Sequence, residues 1–350
     1  MNQPFRPVLV VPALFLFFAC AEDRTAGLVS SDSAGIRILE IPAAFPISHV
    51  DLGGETVSIV TGRDDDPIGA VRGLIWVDSA RIVLADNDMT VRVYDRSGRR
   101  LAMAGKRGEG PGEFEDILWL DHGENGGFAA FDPRLNRLTV FDSTLAFHRA
   151  VNPTANPGLL PHWAGFLPGE VGLAGVGMVN EPGPGRIRPP DRWGYTPVFV
   201  YSGDGNEIET IARFAWNRCK DDVSTRCVPD GWGGTLNPEG ERIYLTPLDW
   251  PEILEYSASG DLLSIIRHLD PAGEGFPQLI VDDRRRVWTS RESEAFWTVY
   301  DPSVPTLLRY TFPERFRLMD VWGSSALGVL RDSLNVSYVA VVDLGLEVGS

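Results

Sequence analysis

Apolar and polar positions along this chain change over in short runs. In the clearest stretch, Gly73-Leu74-Ile75-Trp76-Val77-Asp78 is followed by a turn, and Arg81-Ile82-Val83-Leu84-Ala85-Asp86 by another. Val91-Arg92-Val93-Tyr94-Asp95 then leads through Ser97-Gly98 into Arg99 to Ala104. Short runs of β-branched and aromatic residues between turn residues predict strands. Four of them fall within about thirty residues, and no long helical periodicity follows the first 25 residues.

The end of the third strand recurs. It reads Val93-Tyr94-Asp95, Val140-Phe141-Asp142, Val200-Tyr201-Ser202, Glu255-Tyr256-Ser257, Val299-Tyr300-Asp301 and Val341-Val342-Asp343. A polar residue closes each copy, which suits a turn into a fourth strand. The opening strand provides a second count. Trp76, Trp119, Trp163, Trp232 and Trp322 are read just before its turn, with Ile280 in the same place once, at spacings of 43, 44, 69, 48 and 42 residues. Both landmarks predict six units of one period, the period of a β-propeller, and a fixed period argues against a β-sandwich.

After Val342-Asp343 only Leu344 to Ser350 remain, too few for a fourth strand. Glu55 to Val60 reads as a strand in the right register before the first connector, so it is expected to complete the last unit. Closure of this kind leaves fewer exposed edges. Arg37 to Ile41 is a further strand, outside the ring or beneath it. The predicted fold is all-β: a six-bladed β-propeller of four-stranded antiparallel blades, closed by an amino-terminal strand, over residues 35–350.

Composition agrees with this. The chain has 350 residues, 43% of them hydrophobic, with 37 glycines and 26 prolines spread along its length. Its net charge of −16 disfavours nucleic acid as a partner.

The first six residues carry one positive charge, Val8 to Phe18 is an apolar run, and Ala19-Cys20 follows. That is the pattern of an export signal, and the run is too short to span a bilayer permanently. The Ala-Cys junction resembles a bacterial lipoprotein signal, which would make Cys20 the lipid-bearing residue and a lipid anchor the only membrane contact. Ala21 after the cysteine resembles the outer-membrane sorting signal. Residues 1–20 are therefore read as signal and 21–34 as linker, in an exported protein, periplasmic or anchored at the outer membrane. Cys219 and Cys227 are close enough to pair, and export would make that disulfide reasonable.

Gly105 to Phe114 reads Gly-Lys-Arg-Gly-Glu-Gly-Pro-Gly-Glu-Phe, a connector too rich in glycine for a helix or strand interior. It lacks the Gly-Lys-Ser/Thr of a phosphate loop, and no helix follows it. Placed after Val-Arg-Val-Tyr-Asp-Arg-Ser-Gly-Arg, it resembles the blade junction of NHL-type six-bladed propellers, and more narrowly the exported bacterial propeller lipoproteins. A degenerate second copy runs from Leu269 to Phe276. The resemblance implies a fold and supplies no catalytic residues.

The widest spacing holds two insertions, Met178 to Thr196 and Ala215 to Gly231. Antiparallel strand order predicts that both emerge at the connector end of the blade. Loops on a rigid scaffold carry binding residues. The candidate ligand-binding residues are Arg186, Arg188, Arg192, Trp193, Tyr195 and Trp216, with Asp191 and Arg218 nearby; a self-packed loop is the alternative. Such a set could hold an anionic or sugar-like group by charge and stacking.

No catalytic motif is present. His49, His122, His148, His162 and His268 form no metal-binding spacing, and Gly-x-Ser-x-Gly is absent. Asp64-Asp65-Asp66 and Asp86-Asn87-Asp88 could offer calcium ligands, but no calcium-loop motif supports them and turn chemistry explains them. The expectation is a monomeric, non-enzymatic binding module for a protein, glycan or small molecule. The alternative is a propeller enzyme, a metal-assisted lactonase or a lyase, with its site in the central channel.

Overall fold

The computed structural model describes residues 27–345 apart from 56, 63–65, 124–125, 154–160, 168–171, 178–193, 202–206, 217–231, 237–241, 248–250, 258, 270–277, 292–294 and 302–305; from 154 to 241 it describes backbone alone. The amino-terminal strands are β1 (Val29–Ser33), β2 (Ile36–Pro42), β3 (Ile47–Asp51) and β4 (Val57–Thr61). Next come β5 (Val71–Trp76), β6 (Arg81–Asp86), β7 (Val91–Asp95) and β8 (Arg100–Ala104), joined in that order as one antiparallel sheet. The order repeats in β9 (Trp119–His122), β10 (Phe128–Asp132), β11 (Arg137–Phe141) and β12 (Phe147–Val151). It repeats again in β13 (Pro161–Leu167), β14 (Gly172–Gly177), β15 (Gly194–Tyr201) and β16 (Glu207–Trp216). Then follow β17 (Trp232–Leu236), β18 (Arg242–Pro247), β19 (Glu252–Ser257) and β20 (Leu262–Leu269), and after them β21 (Gln278–Val281), β22 (Val287–Ser290), β23 (Phe296–Asp301) and β24 (Thr306–Thr311). The last group is β25 (Phe316–Trp322), β26 (Ser325–Arg331) and β27 (Ser337–Asp343), with β4 antiparallel to β27. The molecule is a β-propeller of four-stranded antiparallel blades, five of them described wholly or partly with side chains.

The first blade is buried on both faces, so its strands read as nearly continuous apolar runs with alternate destinations. Leu74, Trp76, Ile82, Leu84 and Tyr94 pack with Leu327, Val329 and Val339 of the last blade. Their neighbours in sequence, Ile75, Val77, Val83, Ala85 and Val93, pack with Leu120, Phe128 and Phe141 of the next. The two-residue period of a strand thus sorts one run into two interblade cores. Trp76 is fully buried, and each large side chain so placed contributes about 1.5–3 kcal/mol.

The amino-terminal strands act as a belt. β2 lies parallel to β20, with Ile38 opposite Ile265, and sends Leu39 and Ile41 into the core between two blades. β3 lies parallel to β24, with Val50 opposite Tyr310. The stretch expected to be linker contributes β1, which pairs with β2.

The tryptophan landmark needs a correction. Trp76 and Trp322 end their strands, but Trp119 and Trp232 begin theirs. The opening strands differ in length and carry bulges, as between Leu318 and Asp320, so an aromatic at either end keeps the same period. His122, not Trp119, stands on the rung that Trp76 occupies: the backbone N–H of Val77 bonds the Arg81 carbonyl in one turn, and that of Gly123 bonds the Gly127 carbonyl in the other.

The polar residue that ends a strand caps the turn that follows. Asp95 accepts from the Ser97 and Arg99 N–H groups, Asp142 from those of Thr144 and Ala146, and Ser257 Oγ from that of Asp261. Asp86 and Asp132, at the ends of β6 and β10, also reach the blade connectors. Asp86 Oδ2 accepts from Gly69 N at 2.9 Å, and Asp132 Oδ2 accepts from Glu115 N at 2.7 Å.

The connector from Gly105 to Phe114 folds on itself. Phe114 N donates to the Lys106 carbonyl, Gly110 N donates to Glu113 Oε2, and Lys106 pairs with Glu113 at 2.9 Å. Gly105 has φ +80°, and a Cβ there would meet the Met89 carbonyl at 2.8 Å, so only glycine fits. Phe114 is fully buried in the core between the two blades that the connector joins.

Candidate functional site

The inner strands β5, β9 and β25 bring polar groups together where each reaches its turn. The bulge in β25 sets Asp320 against β5, where Asp320 Oδ2 accepts from Trp76 N at 2.7 Å and Oδ1 accepts from Val321 N at 2.8 Å. His122 ends β9, with Nε2 3.8 Å from Asp320 Oδ2 and Nδ1 3.8 Å from Asp121 Oδ1. Its ring lies 6.2 Å from that of Trp322, and Nε2 has no hydrogen-bond partner among the described residues.

Burial pushes the Asp320 carboxyl up to about 6, against the pull of His122 and of the two N–H groups it accepts from. Burial works against a charged His122, but Asp121 and Asp320 outweigh it and raise the imidazole above its usual value. The chemical capacity of the pair is proton exchange at His122 Nε2. Asp320 is a poor general base, because both of its oxygens already accept backbone hydrogen bonds.

The turn after β21 is bolted to the turn after β25. Asp282 Oδ2 accepts from Arg286 Nε at 2.6 Å and from Trp288 Nε1 at 2.9 Å. Arg286 Nη2 donates to the Gly323 carbonyl at 2.9 Å, and Gly323 N donates to Asp283 Oδ1 at 2.7 Å. On the other side, Arg81 donates to the carbonyls of Ser143 and Gly126, and Arg96 covers Trp76 at 4.7 Å from its ring centre. The carboxylates at this end of the inner strands therefore cap turns and tie blades to one another.

The raised carboxyl sets a pH dependence. A folded Asp320 holds its proton more tightly than an unfolded one, so its contribution is complete below pH 3.8 and is lost as pH rises through about 6. His122, also raised, adds in the same direction: its contribution is present below 6.5 and is lost as pH rises through its folded value. From pH 4 to 7 the wild-type protein should lose about 2–3 kcal/mol more unfolding free energy than Asp320→Asn, which cannot titrate there. Urea titrations of both proteins at several pH values test this, and equal slopes would remove Asp320 from the account.

The residues chosen from the sequence are placed as follows. Arg186, Arg188, Arg192 and Trp193 lie outside the described residues, as do Cys20, Cys219 and Cys227. Tyr195 and Trp216 are strand residues rather than loop residues, within β15 and at the end of β16. Gly194 pairs with Trp216, so the chain enters and leaves the two insertions at one end of the sheet. By strand order this is the connector end, opposite the end where His122 and Asp320 meet.

Asp66 accepts from Tyr94 Oη at 2.7 Å and pairs with Arg100, and Asp88 accepts from Thr90 N and pairs with Arg92 at 2.6 Å. Asp64 and Asp65 lie outside the described residues. No group of three His, Cys, Asp or Glu that could hold a metal occurs among the described residues. No helix among them is long and apolar enough to cross a membrane.

Sequence reading missed the partnership of His122 with Asp320. Its available signal was local: Asp121-His122 and Asp320 both stand where an inner strand meets its turn, positions that elsewhere hold apolar residues.

No described protein family matches the chain, and no curated protein matches it by sequence. Solved structures do resemble it. A Bacteroides fragilis protein named "Putative exported protein" is 11% identical, covering 87% of this chain and 98% of its own at a TM-score of 0.53. The calcium-binding protein regucalcin from Agrobacterium tumefaciens is 13% identical, covering 85% and 95% at 0.50. Virginiamycin B lyase from Staphylococcus aureus is 9% identical, covering 82% and 98% at 0.47. At these identities the likeness concerns the fold alone.

Proposed function

We propose that this chain is an exported β-propeller that works as a non-enzymatic binding module at the cell envelope. The observation that carries this reading is the use of the carboxylates at the inner-strand ends. Asp320 and Asp282 are taken up by backbone N–H groups and by Arg286, which makes a rigid frame rather than a reactive cluster. The chain ends of the two blade-three insertions meet at the opposite end, and the Arg, Trp and Tyr content of those insertions suits a protein, glycan or small anionic ligand.

The ring itself is read as six-bladed, NHL-like and closed by β4. Support comes from the pairing of β4 with β27 and from the order of neighbouring inner strands, β5, β9, β13, β17, β21, β25 and back to β5. Export and a lipid on Cys20 rest on the amino-terminal pattern. Labelling with a fatty-acid analogue should mark the wild-type protein and not Cys20→Ser; labelling of both would remove the anchor from this reading.

In the form that begins after Cys20, replacing residues 178–193 and 217–231 with short Gly-Ser turns should sharply reduce co-sedimentation with isolated cell-envelope fractions. His122→Ala should sediment as wild type does. The reading fails if the loop-exchanged protein binds as strongly as wild type. A channel enzyme is the second reading, favoured by the buried His122 Nε2, which has no hydrogen-bond partner among the described residues and lies beside Trp322. It requires turnover of a lactone panel that His122→Ala loses and the loop exchange keeps.

A further inference from the structure

The last blade carries a group of three arginines, two of which, Arg317 and Arg331, meet no carboxylate among the described residues. In the antiparallel pair β25–β26, Arg317 stands opposite Val329, so Arg331, two places on, shares its face of the sheet. Arg315 is held beside them: its Nη1 donates to the Asp332 carbonyl at 2.9 Å, and its own carbonyl accepts from Arg331 N at 3.3 Å. These three arginines line a cavity of about 650 Å³, with Phe316 and Val329 on its wall and Asn335 at its edge.

In a chain with 48 acidic and 32 basic residues, the lack of a partner here calls for a reason. Asp332, the carboxylate in the lining, is already engaged. Its Oδ1 accepts from Leu334 N and Val336 N, and Tyr338 Oη donates to its Oδ2 at 3.2 Å. Glu314 stands 3.8 Å from Arg315 alone and is almost wholly exposed. Among the described residues no carboxylate pairs with Arg317 or Arg331. Desolvation, and then the neighbouring charge of Arg331, push the Arg317 guanidinium down from its usual pKa. Like charges placed cross-strand destabilise a sheet. The cavity sits where the connector enters β25, the same end of the inner strands as the insertions of blade three.

We propose that this cavity is a binding site for an oxyanion, a phosphate or carboxylate group on a small organic molecule or on a lipid head group, held by Arg315, Arg317 and Arg331. Guanidinium forks match such groups in geometry and charge, and the apolar wall accommodates the body that carries the anion. The inference rests on the binding-module reading and names a ligand class for it.

Thermal unfolding of the full chain with inorganic phosphate and with glycerol 3-phosphate tests the site, alongside flotation with phosphatidylglycerol and phosphatidylcholine vesicles. The wild-type midpoint should rise with phosphate. Arg317→Gln and Arg331→Gln should each weaken the apparent affinity at least tenfold, whereas Arg99→Gln on the first blade leaves it unchanged. Without anion, Arg317→Gln should melt at or above the wild-type temperature, because it removes a repulsion; this separates lost binding from lost folding. Binding to phosphatidylglycerol vesicles in place of free phosphate assigns the head-group source, and the reverse assigns a soluble ligand. No response to either, or an equal response in the arginine variants, overturns the site. If envelope binding still depends on the blade-three insertions in that case, the broader reading stands without this inference.

Discussion

Asp282→Ala should cost about 3–5 kcal/mol of unfolding free energy, the largest effect expected of a single substitution in this molecule. The side chains of Asp282 and Arg286 are 0% and 4% exposed, and their Oδ2 and Nε lie 2.6 Å apart. Burial raises the Asp282 carboxyl above its ordinary value even against the arginine, so the pair is not a strong source of stability in itself. Removing one member is another matter. It leaves a buried guanidinium without its counter-charge and takes away the acceptor of Trp288 Nε1 and of the Arg284 and Arg286 N–H groups. The tie through Arg286 to the Gly323 carbonyl of the next blade would weaken with it. The double variant Asp282→Ala with Arg286→Met should recover most of the loss, since neither charge is then buried alone. Urea unfolding followed by tryptophan fluorescence measures both, and a loss below about 1 kcal/mol in the single variant would contradict the argument.

Asp132→Ala should cost about 3 kcal/mol and act at a distance along the chain. Asp132 is fully buried at the end of β10. Its Oδ2 accepts from Glu115 N at 2.7 Å and Asp116 N at 3.2 Å, and its Oδ1 from Arg134 N at 2.9 Å and Leu135 N at 3.0 Å. One carboxylate thus closes its own turn and anchors the end of the glycine-rich connector. Four N–H groups would lose their acceptor at once, two of them on the segment that delivers Phe114 and Ile117 to the interblade core. Amide hydrogen exchange should accelerate at Glu115 and Asp116 well beyond the global change in stability. Asp132→Asn should not rescue the protein, because its amide group would face two donors with a donor. Exchange that rises uniformly across the blade would show that the connector is held by packing alone.

Much of the architecture was legible because it is local. Runs such as Leu74-Ile75-Trp76-Val77 are apolar on both faces because their blade is covered on both sides. Asp95, Asp142 and Ser257 were legible as turn residues because a short side chain can cap only the next few N–H groups. The tryptophan count marked the opening strands, yet it could not assign a rung, since a bulge or a shorter strand moves an aromatic without changing the spacing. Tyr195 and Trp216 were read as loop residues because the sequence did not show how far β15 and β16 run before the insertions begin.

The candidate site was barely legible. His122 sits in a short strand like several others; its polar character at an inner-strand end is a local signal, but nothing in the spacing pairs it with Asp320. Their meeting depends on how three blades are turned about a common centre and on one bulge in β25. The three arginines of the last blade were hidden for a similar reason: Arg317 and Arg331 become neighbours only through the register of β25 against β26.

By itself the sequence determined the strands, their period, the turns that separate them and the acidic character of the whole, all set by short-range propensity and burial pattern. The tertiary structure alone decided which carboxylates end as caps, which histidine meets a buried acid and which arginines are left unanswered. Those outcomes depend on register, bulges and blade rotation, which bring distant residues within a few ångströms and leave no trace in local spacing.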